Sequence, residues 1–253
     1  MSEPRDYKTE AIVIKKTKLG EADRILTFYT PHLGKIQAVA KGVRQPKSKM
    51  SGHLELLTHS MVSFARGKNL ATVTGSQTIN GFINIKNDLE LTSYALYIIE
   101  LLNQFTGEGI EDYPLFQMLL DVLDKLSTER NRELVLRYFE VQLLDNLGYR
   151  PQLKQCVSCH KQLKPVTNQF CPSAGGMNCP SCARNGNFSY SISINGLKIF
   201  RLLQDGNYNT IRRLKMTKEL SLELERLIRS YIKYLLEKDI KSLTWLETLK
   251  RCA

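Results

Sequence analysis

Nowhere in the 253 residues does an apolar run reach the roughly 18 positions that a membrane-spanning helix requires, so neither a span nor a membrane partner is expected. The opening MSEPRDYKTE is polar and carries acids, unlike a secretory or transit leader. No G-x-x-x-x-G-K-S/T occurs, which removes the usual backbone cradle for ATP phosphates. The zinc-deaminase signature fails too, because Gln155 and Asn178 stand where it needs a proline before C-x-x-C. His32, His53 and His59 are scattered, without partners at catalytic spacing, and the single tryptophan, Trp245, reads as a packing anchor. These absences argue against an enzyme. One more has a different force: no Asp or Glu occurs from Arg24 to Leu54, which leaves the cations there unopposed.

What is present is led by Cys156-Val157-Ser158-Cys159 and Cys179-Pro180-Ser181-Cys182, two C-x-x-C pairs with 19 residues between them. That spacing reads as a zinc site. Two thiolates three positions apart close a tight turn onto one metal, and two such turns complete a tetrahedral shell. Four protein ligands leave no open position, so the expected cofactor is one structural zinc per chain. The rival reading is redox disulfides. Cys171 lies in the same module and could replace Cys179 or Cys182, but the symmetric pairing favours a partly buried free thiol. His160 follows a ligand directly and is expected to face solvent or pack on the turn. Cys252, beside the terminus, has no specific role assigned. Zinc-spaced thiols without a leader fit a reducing cytosol.

The net charge of +11 is unevenly spread. Residues 1–80 hold 13 Lys/Arg against 6 Asp/Glu, residues 81–155 hold 7 against 12, and residues 156–253 hold 16 against 7. Two basic segments therefore flank an acidic one, and the inference is a polyanion partner, nucleic acid first. The acidic segment is expected to serve packing and protein contact instead.

The first 80 residues read as β-structure: Ala11–Ile14, Arg24–Thr30, Ile36–Ala40, Leu54–Phe64 and Leu70–Ile79, with Pro31 and Gly34 ending the second run. Five strands in this length fit an OB-like barrel. Lys41, Arg44, Lys47 and Lys49, with Lys35 just before them, lie on or beside a Gly- and Pro-containing loop that can follow a phosphate backbone. Arg66 and Lys68 on a neighbouring turn are weaker candidates. Residues 87–148 then show helical spacing in three runs, among them Leu134, Tyr138, Val141 and Leu144. Gly148 and Pro151 stop the third run. After the cysteines, Ile194–Asp205, Leu220–Leu235 and Leu243–Leu249 read as helices. The expected class is α+β: a five-stranded barrel at 1–80, then a helical domain at 81–253 interrupted by a zinc module at 156–182.

This order of parts resembles the RecO family, bacterial mediators of recombinational repair. The residues that carry the resemblance are Gly20-Glu21-Ala22-Asp23-Arg24-Ile25-Leu26-Thr27, Thr30-Pro31-His32-Leu33-Gly34-Lys35, and Ala40-Lys41-Gly42-Val43-Arg44 with Ser48. The cysteine side adds Cys156-x-x-Cys159 and Gly175-Gly176-x-x-Cys179-x-x-Cys182. The resemblance spans nearly the whole chain, and Cys171 departs from it. It implies a non-enzymatic protein that binds single- and double-stranded DNA and anneals strands coated by single-stranded DNA-binding protein. It also implies work with RecR to load RecA, in the cytoplasm at the nucleoid. The family's pocket for the tail of single-stranded DNA-binding protein lies in the helical region, where no residues here can be carried over. Two other readings remain: a zinc-ribbon binder of RNA or of transcription components, and a zinc-dependent nuclease using Glu21 and Asp23.

Overall fold

A computed structural model describes residues 6–183, 188–214 and 216–252. Five strands come first: β1 (Asp6–Leu19), β2 (Asp23–Thr30), β3 (Gly34–Ala40), β4 (His59–Ala65) and β5 (Ala71–Asn80). They close in the order β1-β2-β3-β5-β4. Each neighbouring pair is antiparallel except β3 and β5, whose parallel contact at Ala38/Ala71 and Val39/Thr72 completes the OB-like barrel. β1 is long enough to pair with β2 along one stretch and β4 along another. Alternation sends Ala11, Val13, Leu26, Phe28, Ala38, Ala40, Val62 and Phe64 into the interior, where Val43 and Leu54 from the long connection after β3 join them. That connection delays β4 relative to the sequence expectation. A 3-10 turn occupies Gly52–Leu54, and Leu57 takes a left-handed φ of 63°, so pairing resumes only at His59.

Helices follow as α1 (Ile83–Lys86), α2 (Leu89–Phe105) and α3 (Tyr113–Thr128). Asp88 and Asp112 accept from the backbone N–H groups of Leu91 and Leu115, capping α2 and α3. These helices cover the outside of β1 and β2. Ile12 and Tyr29 sit opposite each other across the ladder, point outward and are buried, with the Tyr29 ring 6.3 Å from Phe116 of α3. The strand-to-helix change near residue 80 is thus a change of element type, while the compact units divide elsewhere. One comprises the described residues within 1–128 and 242–253, the other those within 129–241.

The second unit holds α4 (Arg132–Asn146), β6 (Asn168–Cys171), β7 (Gly176–Asn178), β8 (Tyr190–Ile192), α5 (Ile194–Asp205), α6 (Tyr208–Ile211) and α7 (Lys218–Leu236). α4 packs against α5 and α7 and is buried on nearly every side, with Arg137 and Glu140 as a fully buried ion pair at 3.0 Å. The spacing had marked only one apolar face, and Tyr138, placed on it, is only half-buried. A last helix, α8 (Lys241–Cys252), returns to the first unit, where Glu100 accepts from the backbone N–H of Ser242 at 2.7 Å. Trp245 on it is half-buried. No described helix is long and apolar enough to cross a membrane.

Candidate metal centre and nucleic-acid face

The three short strands order as β7-β6-β8 and carry the cysteine module on α5 and α7. Phe170 of β6 packs against Phe200 at 6.0 Å and Tyr231 at 5.6 Å, while Tyr231 donates to the Tyr149 carbonyl at 3.2 Å. The β6–β7 turn passes through Gly175, at φ 63°, to Gly176. A Cβ on Gly176 would lie 2.7 Å from the Gln152 carbonyl and from Val157 Cγ1, so only glycine lets the first cysteine turn lie against the hairpin.

That apposition brings the two turns together. The thiol sulfurs of Cys156, Cys159, Cys179 and Cys182 all lie within 4.8 Å of one another, with Cys159 and Cys179 at 3.9 Å. A tetrahedron with metal–sulfur bonds of about 2.3 Å puts its sulfurs roughly 3.8 Å apart, so the donors fit a four-thiolate ion. Among the described residues, this is the one group of three or more His, Cys, Asp or Glu placed to hold a metal. The His160 N–H donates to the Cys156 carbonyl at 2.9 Å, and the Cys182 N–H to the Cys179 carbonyl at 3.0 Å, closing the two turns. Burial pushes the Cys156 thiol up, but backbone donors from Cys179, Cys159 and Ser158 reverse this and hold it at about 6. Cys182 is pushed up to about 12, chiefly by hydrogen bonds with Cys179 and Cys159. One thiolate prepared by amides at Cys156, beside a Cys182 thiol that resists ionising, is a charge arrangement that a dication relieves. Cys171 stays out of the cluster: it is buried, with its sulfur 3.3 Å from Ser173 Oγ. His160 is also outside the group.

The barrel loop is held by its backbone, leaving its cations outward. Asp23 accepts from the Gly42 N–H at 2.7 Å, and the Arg44 N–H donates to the Ala22 carbonyl at 2.9 Å, which ties the loop to the β1–β2 turn. Lys41, Arg44, Lys47 and Lys49 are exposed there, and Arg66 and Lys68 are exposed on the β4–β5 turn. Arg44 also donates to the Gly20 carbonyl at 3.2 Å. Glu55, the first acid after the acid-free stretch, is engaged with Lys16 and Arg24.

Lys35 behaves differently from the other six cations. Its ammonium donates to the Asn103 carbonyl at 2.7 Å and the Thr106 carbonyl at 2.5 Å, satisfying the end of α2, where a cation meets the negative end of the helix. Burial pulls its pKa down, opposed by Glu108. Carbonyls about seventy residues downstream, invisible to local spacing, thus engage its ammonium. Lys35→Met should therefore lower stability by about 1–2 kcal/mol in denaturant unfolding, while DNA affinity in low salt changes less than twofold.

Other sequence candidates are equally accounted for. Asp23 is used as the loop anchor, and Glu21 is exposed on the turn. His59 lies 3.0 Å from Glu10, and His32 3.0 Å from Glu111. An H-x-E spacing does occur at His53-Leu54-Glu55, but His53 bonds Thr78 at 2.7 Å and Glu55 faces Lys16, so both serve the barrel.

An OB-like barrel carrying an exposed cationic loop, with a helical unit built around four clustered cysteines, defines an α+β protein of two compact units. Family models agree in both parts. The one described as "Recombination protein O N terminal" matches residues 1–82, and "Recombination protein O C terminal" matches residues 86–244. The chain belongs to the RecO family of DNA repair proteins. Among its relatives, DNA repair protein RecO of Dehalococcoides mccartyi (strain CBDB1) is 48% identical over 250 residues, covering 99% of this chain and 98% of that protein. RecO of Roseiflexus sp. (strain RS-1) is 38% identical over 98% of this chain and 87% of its own length. RecO of Desulforamulus reducens is 32% identical over 96% and 94%.

Proposed function

We propose that this chain is a non-enzymatic DNA-binding mediator of recombinational repair, which anneals single strands and helps load RecA on DNA coated by single-stranded DNA-binding protein, together with RecR. The observation that carries this reading is the loop of Lys41, Arg44, Lys47 and Lys49, exposed, unopposed by acids and fixed to a barrel of this family. Cations so placed bind by releasing counterions from phosphates and do not read sequence. Arg66 and Lys68 offer further phosphate contacts of their own from the β4–β5 turn. The place of work is the cytoplasm, at the nucleoid.

In this reading the four cysteines hold one zinc. Bound there, the ion has no vacant position and supplies folding energy, and the chain's thiolates and N–H donors fix the two turns around it.

The test is annealing of complementary strands coated by single-stranded DNA-binding protein, with and without the chain, in magnesium buffer. Acceleration without strand cleavage is expected. No acceleration despite tight RNA binding would overturn the mediator reading in favour of an RNA or transcription binder. Metal-dependent cleavage lost in Glu21→Gln or Asp23→Asn would overturn it in favour of a nuclease.

A further inference from the structure

The barrel is open beside the β2–β3 turn. A cleft of about 530 Å³ lies there, lined by Tyr7, Lys8, Thr9, Leu33, Ile36 and Arg66 together with His32 and Gly109. This is within the roughly 300–1,000 Å³ of small-molecule sites, which recur in barrel mouths. Its floor is rigid and apolar. Tyr7 stacks on Phe64 at 5.2 Å and 22°, Phe64 meets Phe28 edge-on at 5.3 Å, and Ile36 packs on the same core. Its lining includes two exposed cations, Lys8 of β1 and Arg66 of the β4–β5 turn. Glu111 faces His32 beside it, and the His32 ring stacks on Tyr113 at 5.5 Å.

An aromatic floor under a cationic rim matches a ligand that is planar and apolar at one end and anionic at the other. The outer surface around Ile12 and Tyr29 offers nothing comparable, because α2 and α3 cover it. We propose that the barrel mouth seats one unstacked nucleobase of a single strand, with Lys8 and Arg66 holding the adjoining phosphates. This rests on the DNA-binding reading and adds to it a means of preferring single strands. In duplex DNA the bases stay paired and stacked, so only the phosphate contacts of the loop are open to it.

Anisotropy titrations at one low salt concentration would compare a twelve-residue oligothymidylate with an abasic strand of equal length and charge. The intact strand is expected to bind about tenfold more tightly, the size of effect that one base–aromatic stack gives. Tyr7→Leu keeps an apolar side chain in the barrel but removes the aromatic face, and should bring the two affinities together. Lys8→Ala with Arg66→Ala should weaken single strands more than duplex, with melting and metal content checked in each variant. Equal affinity of the unaltered protein for intact and abasic strands would overturn the mouth proposal alone, without needing any variant. So would a tenfold ratio that survives in folded Tyr7→Leu. Failure of the unaltered protein to bind any DNA would instead overturn the reading beneath it.

Discussion

Cys179→Ser should abolish stoichiometric zinc and lower the midpoint of thermal unfolding by about 10 °C or more, which at roughly 2–4 °C per kcal/mol is a loss of several kcal/mol. The size follows from how little else holds the module. Its strands are four, three and three residues long, and its buried apolar side chains are few beyond Phe170, Met177 and Ile192. Metal binding is therefore folding free energy for this segment. The Cys179 N–H also donates to Cys156 sulfur at 3.4 Å, so loss of the ion loosens both turns at once. Proteolysis of the variant should begin between residues 156 and 183. Cys171→Ser is the matched control: its sulfur faces Ser173, so metal content should stay at one per chain. An unchanged melting point in Cys179→Ser would show that the cysteines are not a structural metal site.

The second large effect concerns Arg44→Ala, Lys47→Ala and Lys49→Ala combined. DNA affinity at moderate salt should fall more than tenfold. The log–log dependence on salt should flatten by about two for single strands and nearly three for duplex, at roughly 0.7 and 0.9 per lost phosphate contact. The loop should remain in place, because the Gly42–Asp23 and Arg44–Ala22 hydrogen bonds use backbone N–H groups that the substitutions keep. Exposed charges contribute little to stability, so melting should not move. Losses should be alike for unrelated sequences. Equal affinity and equal slope would move the contact to the basic C-terminal segment.

Features decided locally were legible in the sequence. Ile194–Asp205 is a helix with the expected bounds, because Ser193 caps it through the Gly196 N–H and Gly206 ends it. The thiol cluster was legible for a similar reason: each C-x-x-C sets its own turn. What depends on distant partners was not. Nothing near Lys35 shows that carbonyls of α2 will take its ammonium, and nothing in the run around Arg137 shows that α5 and α7 will pack over α4 and bury its pair with Glu140. The barrel mouth was hidden too, since residues 7, 33, 36 and 66 meet only after the strands close.

The meeting of the β2–β3 turn with the segment before α3 bears on how the chain is made. Gly34 lies so close to Ile110 that a Cβ would come within 1.9 Å of its carbonyl oxygen, and the Gly109 N–H donates to the Lys35 carbonyl at 2.9 Å. The barrel strands are all synthesised by residue 80, yet the groups that clasp this turn and cover Ile12 and Tyr29 come later, up to residue 128. At about 5–20 residues per second, a ribosome needs a few seconds to cross that gap. For that interval the nascent barrel displays a greasy flank, which makes it a client for chaperones that bind emerging chains. A gene fragment cut at residue 80 would leave that flank bare permanently, and its product should collect in inclusion bodies.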